Sequence, residues 1–498
     1  MRTLVMNGLL TAAAMLTVGV HPVSAASEDA ARLDPLHAMY ARYIRLDDVP
    51  KEYRVTLIKL LLVKINDVSQ STDIYPPWIV PSSDLSLVRI NTTDYGETFA
   101  KVYEKLASPW DSQVVDDATY EPEYGTFGLY QGDRLIRTFS KEIGKKLVGK
   151  NRRTIPAFWL TDSPELQKQF NALVKRTQTN VPIIRAAWLI NRISAQQNRS
   201  PTGYNDFLGV DTEADFQRLG DFDAKKKLLR VEWRAAVGFS GVTTQPRALR
   251  RDGAPDSPYW RSFDFKLAVN ERDPLQIFGQ DIEDAFRAAG VDEVASEQYI
   301  LLPNGLWATG AFNNKGKAQE VAPNFVAGNH RSSSNDFQIH VGVSCQVCHS
   351  NGGLHDINNW AKSYFPPPLE LGKKTLEEAR LFREQYGRDL GRRIERDRLE
   401  YTDVVKRWTG WTTKELADAV AYEWNRYENM RVDRKQLAAL LNTTEAKLFS
   451  AIDATVKAGN ADRILSNIVI RNEPAPIRSV EGRVPVAHLA LRGLQPPP

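Results

Sequence analysis

Gly342-Val343-Ser344-Cys345-Gln346-Val347-Cys348-His349 holds the only two cysteines of the 498-residue chain, three positions apart, with a histidine directly after the second. Two cysteines placed at random in such a chain fall three apart roughly once in 250 trials and histidine follows about once in 70, so coincidence is on the order of one in twenty thousand. C-x-x-C-H reads as an attachment site for a c-type haem. The thiols of Cys345 and Cys348 stand where each can form a thioether with one haem vinyl group, and the imidazole of His349 is placed to bind the iron from the proximal side. Two other uses of a C-x-x-C pair fit less well. Structural zinc takes four N or S ligands, whereas this motif supplies three and the chain has no second cysteine pair. A thioredoxin-like dithiol needs a βαβ setting with a cysteine at a helix N-terminus, and the lead-in Phe337 to Ser344 is short and mixed.

The N-terminus points to the same chemistry. Arg2 is followed by an apolar stretch from Leu9 to Val20 and then by Val23-Ser24-Ala25, an A-x-A-like cleavage site, so residues 1–25 read as a secretory signal peptide. An uncleaved anchor is the alternative, but the run is short and rich in Thr and Ala for a membrane span. Haem is attached to such motifs outside the bacterial cytoplasm, so motif and signal both predict a periplasmic or secreted protein. No cysteine is left for a disulfide, so the mature chain relies on its core, and its length suits two or three domains. After the signal no apolar run reaches membrane-helix length; Leu57 to Val63 is interrupted by Lys59. A net charge of +4 from 65 basic and 61 acidic residues argues for no nucleic-acid partner. Lys225-Lys226-Lys227 reads as a solvated face, with docking of an acidic redox partner as the lesser alternative.

The patterning predicts a mainly α protein with small antiparallel β elements (α+β). Leu36 to Asn66 reads as helix, with Asp47 and Asp48 ahead of Pro50 marking a start and Val55, Ile58, Leu61, Leu62 and Ile65 on one apolar face. Leu85 to Ile90 alternates as a short strand. Ser163-Pro164 starts a helix with serine as N-cap, and Pro182 to Ile193 forms another. Trp233 to Phe278 reads as irregular, partly extended chain. Gln298 to Leu302 and Leu306 to Phe312 read as strands around the turn Pro303-Asn304-Gly305, followed by a turn at Asn313 to Gly316. After the motif, Asn351-Gly352-Gly353 allows a sharp turn, and Trp360, Tyr364 and Phe365 offer apolar cover for a porphyrin. Thr375 to Trp408 reads as charged surface helix interrupted near Gly387 and Gly391, and Thr412 to Trp424 and Arg434 to Lys457 as further helices. The expected domains are a signal peptide (1–25), an N-terminal companion domain (26–328), a haem-binding region with C-terminal helices (329–470, entered through the polar link Asn329 to Asn335) and a mobile tail (471–498).

Function turns on the iron's sixth position, since a strong second ligand favours electron transfer and an open one permits binding or activation of a small molecule. Past the signal the chain has only Met39 and Met430, and Met430 lies between two predicted helices, where a loop could return over the haem. His340 and His355 would need nearly their whole tether to circle the macrocycle, which leaves His330 and His488 geometrically easier. The distal ligand is left open among these residues, or none.

The chain resembles a group of large secreted bacterial cytochrome c domain-containing proteins with a single C-x-x-C-H about two thirds of the way along. The resemblance rests on Tyr259-Trp260-Arg261-Ser262-Phe263-Asp264-Phe265, on Leu302-Pro303-Asn304-Gly305-Leu306 and on the block from Gly342 to His349. Weaker similarity runs from Tyr43 and Asp94-Tyr95-Gly96 to the helices after Thr412. The group often has Met-Ser between the cysteines where this chain has Gln346 and Val347, which leaves both thioether positions intact. The resemblance implies one covalent haem c at Cys345 and Cys348, His349 as proximal ligand, and a companion domain of unknown role. It brings no substrate. Single-electron transfer between a redox donor and an acceptor is therefore the expected function. The alternatives are a peroxidase-like haem enzyme, for which one haem is a handicap in a two-electron reaction, and a haem-based sensor or binding module.

Overall fold

The computed structural model describes residues 21–106, 116–121, 126–131, 134–140, 163–179, 181–196, 202–220, 233–237, 247–252, 258–265, 293–322, 338–350, 354, 390–460, 462–491 and 493. Sixteen α-helices and four sheets among them make a mainly helical α+β protein, as the patterning predicts. The chain divides into two compact units, the first holding residues 1–62, 75–191 and 425–498, the second residues 63–74 and 192–424. The expected boundary at residues 328/329 lies outside the described residues.

In the first unit the helix Pro22–Arg32 packs Val23, Ala25, Ala26 and Ala30 against Tyr43, Leu87, Phe170, Leu173 and Ile183. Pro22 stands at its start, and the side chain of His21 accepts a hydrogen bond from Val23 N. The A-x-A-like sequence thus lies in a helix whose Val23 and Ala25 have no exposure. The helix rests on a four-stranded sheet in the order Trp78–Ile79, Leu87–Asn91, Ala41–Arg45, Ile183–Arg185, in which only the last pair is parallel. Here the structure corrects two expectations. Ala41–Arg45 is a central strand inside the stretch read as one helix from Leu36 to Asn66, and Ile183–Arg185 is a strand ahead of the helix Ala186–Ser194. Both strands carry buried arginines, Arg42, Arg45 and Arg185, which hide the apolar alternation. Ser163 caps Pro164–Thr177 as expected, its hydroxyl accepting from Leu166 N.

The C-terminal helices also belong to this unit. The helix expected from Arg434 to Lys457 breaks at Asn442, which takes φ 52°, and restarts behind the Thr444 N-cap. The tail expected to be mobile instead forms the helices Ile477–Glu481 and Val484–Leu491. Ile477, Val480, Val484 and Ala487 are buried there, because the segment has enough apolar side chains to hold itself down.

The second unit is built on an antiparallel five-stranded sheet ordered Trp307–Asn313, Glu293–Leu301, Tyr259–Phe265, Arg247–Asp252, Trp233–Val237. The last three strands replace the irregular chain expected from Trp233 to Phe278. Their pattern was masked because Arg250, Arg251, Arg261 and Asp264 are buried among the apolar residues. The hairpin around Pro303-Asn304-Gly305 forms as expected, with Gly305 at φ 82°. Leu390–Thr409 is one helix, with Gly391 inside its first turn rather than at an interruption. It meets the sheet through charge: Arg251 Nε and Nη2 each reach Asp397 at 2.9 Å, and Trp260 Nε1 donates to the same carboxylate at 2.8 Å. Both ionic side chains are 0 % exposed.

Asp397→Ala leaves the Arg251 charge buried without its partner and is expected to destabilise the protein by about 3–5 kcal/mol. Replacing both by leucine-sized apolar residues should recover most of that loss. Urea unfolding of the two variants beside the parent checks this, and a loss below about 1 kcal/mol for the single variant would contradict it.

Candidate functional site

The C-x-x-C-H motif lies in the second unit on a short helix, Val343–Cys348, whose geometry is set by the residue before it. Gly342 has φ 94°, and a Cβ there would stand 2.4 Å from the backbone oxygen of Ser194. Glycine is therefore required. The helix start is tied back to its lead-in by Ser344, which donates from its N–H to His340 O and accepts from His340 N–H at its hydroxyl, both at 3.0 Å. Within this turn Cys345 and Cys348 lie at i and i+3, on the same side, and both are free thiols. His349 follows at the C-terminal end, its N–H donating to Cys345 O at 2.8 Å.

Cys345 and His349 open onto one cleft of about 370 Å³, counting its solvent-open part. The hairpin of the sheet supplies one wall, Tyr299, Trp307 and Thr309, with Tyr204 and Tyr401 beside them. Lys64 and Asp67 line it too, beside Gln346. They come from the end of the helix Lys51–Asn66, where every residue from Leu60 to Ser69 is buried, so the apolar stripe read from the sequence becomes a fully enclosed segment. Asn304 in the hairpin turn donates to Asn66 O at 2.9 Å and anchors this segment to the sheet.

Lys64 Nζ lies 2.9 Å from Asp67 Oδ2 and donates to Gln346 Oε1 at the same distance. Gln346 in turn approaches Tyr401 Oη at 3.4 Å. The residue between the cysteines thus locks the motif helix to a buried ion pair. Burial pushes the Asp67 carboxyl above its usual range, with the Lys64 ammonium and Gln346 opposing. Burial likewise raises the Cys345 thiol well above the ordinary range, with Glu297 and Cys348 adding to it. A thiol held protonated in this way is a poor attacking group for disulfide exchange, which counts against a redox dithiol.

The imidazole of His349 lies against the Tyr299 ring, with centroids 4.6 Å apart. Its Nε2 is 3.9 Å from Glu297 Oε1, and the Tyr299 hydroxyl donates to that same oxygen at 2.6 Å. Glu297 and Tyr299 are alternate residues of one strand and share a face.

The structure brings Cys345, Cys348 and His349 together. His340 is buried with its ring 5.6 Å from Trp424, and it does not line the cleft. Met430 and His488 belong to the first unit, Met430 just before the strand Arg431–Val432 and His488 buried in the last helix. His330, His355, Trp360, Tyr364, Phe365 and the Asn351-Gly352-Gly353 turn lie outside the described residues. Sequence reasoning missed Lys64, Asp67, Glu297, Tyr204 and Tyr401. Only Lys64 left a signal, as a lysine inside an apolar helical run.

The donor set fits a c-type haem. Two free thiols lie one helical turn apart, the imidazole follows, and Cys345 and His349 face a common cleft with aromatic walls. Among the described residues no three Cys, His, Asp or Glu side chains converge as a bare metal ion needs. Among them, too, no helix is long and apolar enough to cross a membrane. Comparison of the chain with models of protein families, with curated proteins and with solved structures gives no match.

Lys64→Met strands the Asp67 carboxylate in the interior and is expected to cost about 3–5 kcal/mol near neutral pH. The raised folded-state pKa of Asp67 fixes the sign of the pH dependence. The folded state binds this proton more tightly than the unfolded one, whose aspartate titrates near 3.8, so the variant should lose stability as pH rises above that value and level off once Asp67 ionises in the fold. Lys64→Met with Asp67→Leu should remove that slope. Urea unfolding across the pH range reads it directly, and a pH-independent cost in the single variant would contradict this account.

Proposed function

We propose that the protein is an exported c-type cytochrome, periplasmic or secreted, that carries one covalent haem c at Cys345 and Cys348 with His349 as proximal ligand. Its task in this reading is to pass single electrons between a redox donor and an acceptor. The observation that carries the reading is the placement of the motif: a free thiol and the imidazole that follows face the same aromatic-walled cleft. When bound, the haem supplies a one-electron ferric/ferrous couple. The chain's own residues do the rest. Gly342 admits the motif helix against Ser194, Gln346 fixes its rotation through Lys64, and Tyr299 sets the plane of the imidazole. Cys345 is only 3 % exposed, so its thioether forms before the cleft closes around it.

A second reading, a peroxidase-like enzyme or a haem-based sensor with an open distal site, is favoured by the polar lining of the cleft. Lys64, Asp67 and three tyrosines suit a small polar molecule better than an inert electron carrier.

The visible spectrum of protein matured in a host with c-type haem machinery tests the proposal. A covalent, low-spin haem that ignores carbon monoxide and peroxide is expected for an electron carrier. A haem that reacts with both moves the assignment to the second reading. Cys345→Ala with Cys348→Ala should abolish covalent haem, read as loss of the haem mass increment, and retention of that increment would end the proposal.

A further inference from the structure

We infer that the cleft beside the motif is a binding site for a water-sized neutral molecule that carries a hydroxyl group, hydrogen peroxide and methanol being the simplest after water itself. Trp307 Nε1 is the donor to this guest and Asp67 Oδ1 the acceptor from it. The inference stands apart from the haem reading, since neither group belongs to the motif.

Two buried polar groups carry it. Trp307 is 6 % exposed and Asp67 2 %, and neither the indole N–H nor Asp67 Oδ1 has a hydrogen-bond partner among the described residues. Buried polar groups are as a rule satisfied, because an unmet donor or acceptor has given up its hydration without a replacement. Here one unmet donor and one unmet acceptor belong to residues that line the same cleft. The guest they call for accepts from an indole and donates to a carboxylate, and a hydroxyl has both capacities on one atom.

Charge and size narrow the class further. Asp67 Oδ2 is taken by Lys64 Nζ at 2.9 Å, so the two charges offset each other and the cleft favours a neutral guest. An anion would meet the Asp67 carboxylate there, and a cation would meet Lys64 and the indole N–H. Between the rings of Tyr204, Tyr299 and Tyr401 the enclosed part of the cleft has room only for something of about the size of water.

Both arms of the site are positioned by Asn304. Its amide donates to Asn66 O at 2.9 Å, one residue before Asp67, and accepts from Leu306 N–H at 3.0 Å, one residue before Trp307. Asp67 N–H also donates to Val63 O at 2.8 Å, so the carboxylate projects from a fixed backbone. A donor and an acceptor held in place before the guest arrives lose little freedom on binding it.

The test titrates the full-length protein with methanol, which has the hydroxyl and no redox chemistry of its own under these conditions. In protein labelled with nitrogen-15 tryptophan, the Trp307 indole resonance, identified as the one missing from Trp307→Phe, should shift saturably with a Kd of about 10 mM, close to the ceiling for a ligand of two heavy atoms. Saturation transfer to the methanol methyl group reads the variants. Trp307→Phe and Asp67→Asn, which keep ring and size, should each weaken binding by about tenfold. Trp307→Phe covers the case in which Asp67→Asn fails to fold. No saturable response in the wild type, which leaves the site to water alone, or wild-type affinity in both variants would overturn the inference. The titration is run with and without covalent haem, and a response confined to the haem-free chain would overturn it for the mature protein, because the cofactor then takes the site. The haem mass increment is read separately, so the cytochrome assignment and this site can each fail without the other.

Discussion

The second unit depends on how it hides charge. Arg251 and Asp397 have no exposure at all, and their bidentate contact, completed by Trp260, fixes the helix Leu390–Thr409 on the five-stranded sheet. Two ions buried this deeply contribute little net stability, because desolvation offsets their attraction. Their value is positional. An alternative docking of the helix leaves an unpaired charge in the interior, so one register is selected over its neighbours. The sheet then carries Tyr299 and Trp307 to the cleft while the helix carries Tyr401.

Lys64 and Asp67 repeat the device at smaller scale. Gln346 lies between the two cysteines, at a position the motif leaves open. Its amide is used instead to read the Lys64–Asp67 pair, which fixes the rotation of a helix only six residues long. A helix that short has no stability of its own, so its orientation comes from tertiary contacts. Gly342 behind it and Gln346 within it are those contacts.

Much of this was legible in the sequence, and the reasons for the rest are physical. The motif announced itself because three reactive side chains are adjacent in the chain. The Ser163 cap, the hairpin at Gly305 and most C-terminal helices were visible because their signals are local. The strands Ala41–Arg45 and Tyr259–Phe265 were not, because buried arginines interrupt the alternation that betrays a strand, and Arg42 and Arg261 find their carboxylates, Glu104 and Glu213, far away in sequence. The tail was misjudged from its prolines, although Ile477, Val480 and Val484 hold it in the core. Glu297 was invisible for the same reason as the arginines: an isolated acidic residue in a strand gains its partners only when the fold sets Tyr299 and His349 beside it.

The imidazole of His349 follows a helix, and the carboxylate it approaches, Glu297, lies on a strand. Cys345 is enclosed in the fold, and the contact of His349 with the sheet arises only where the hairpin and the motif helix meet. Tyr299 lies at the join, touching the imidazole with its ring and the carboxylate with its hydroxyl. A small movement of that strand shifts both contacts together, so the sheet, rather than the motif alone, sets where the imidazole lies.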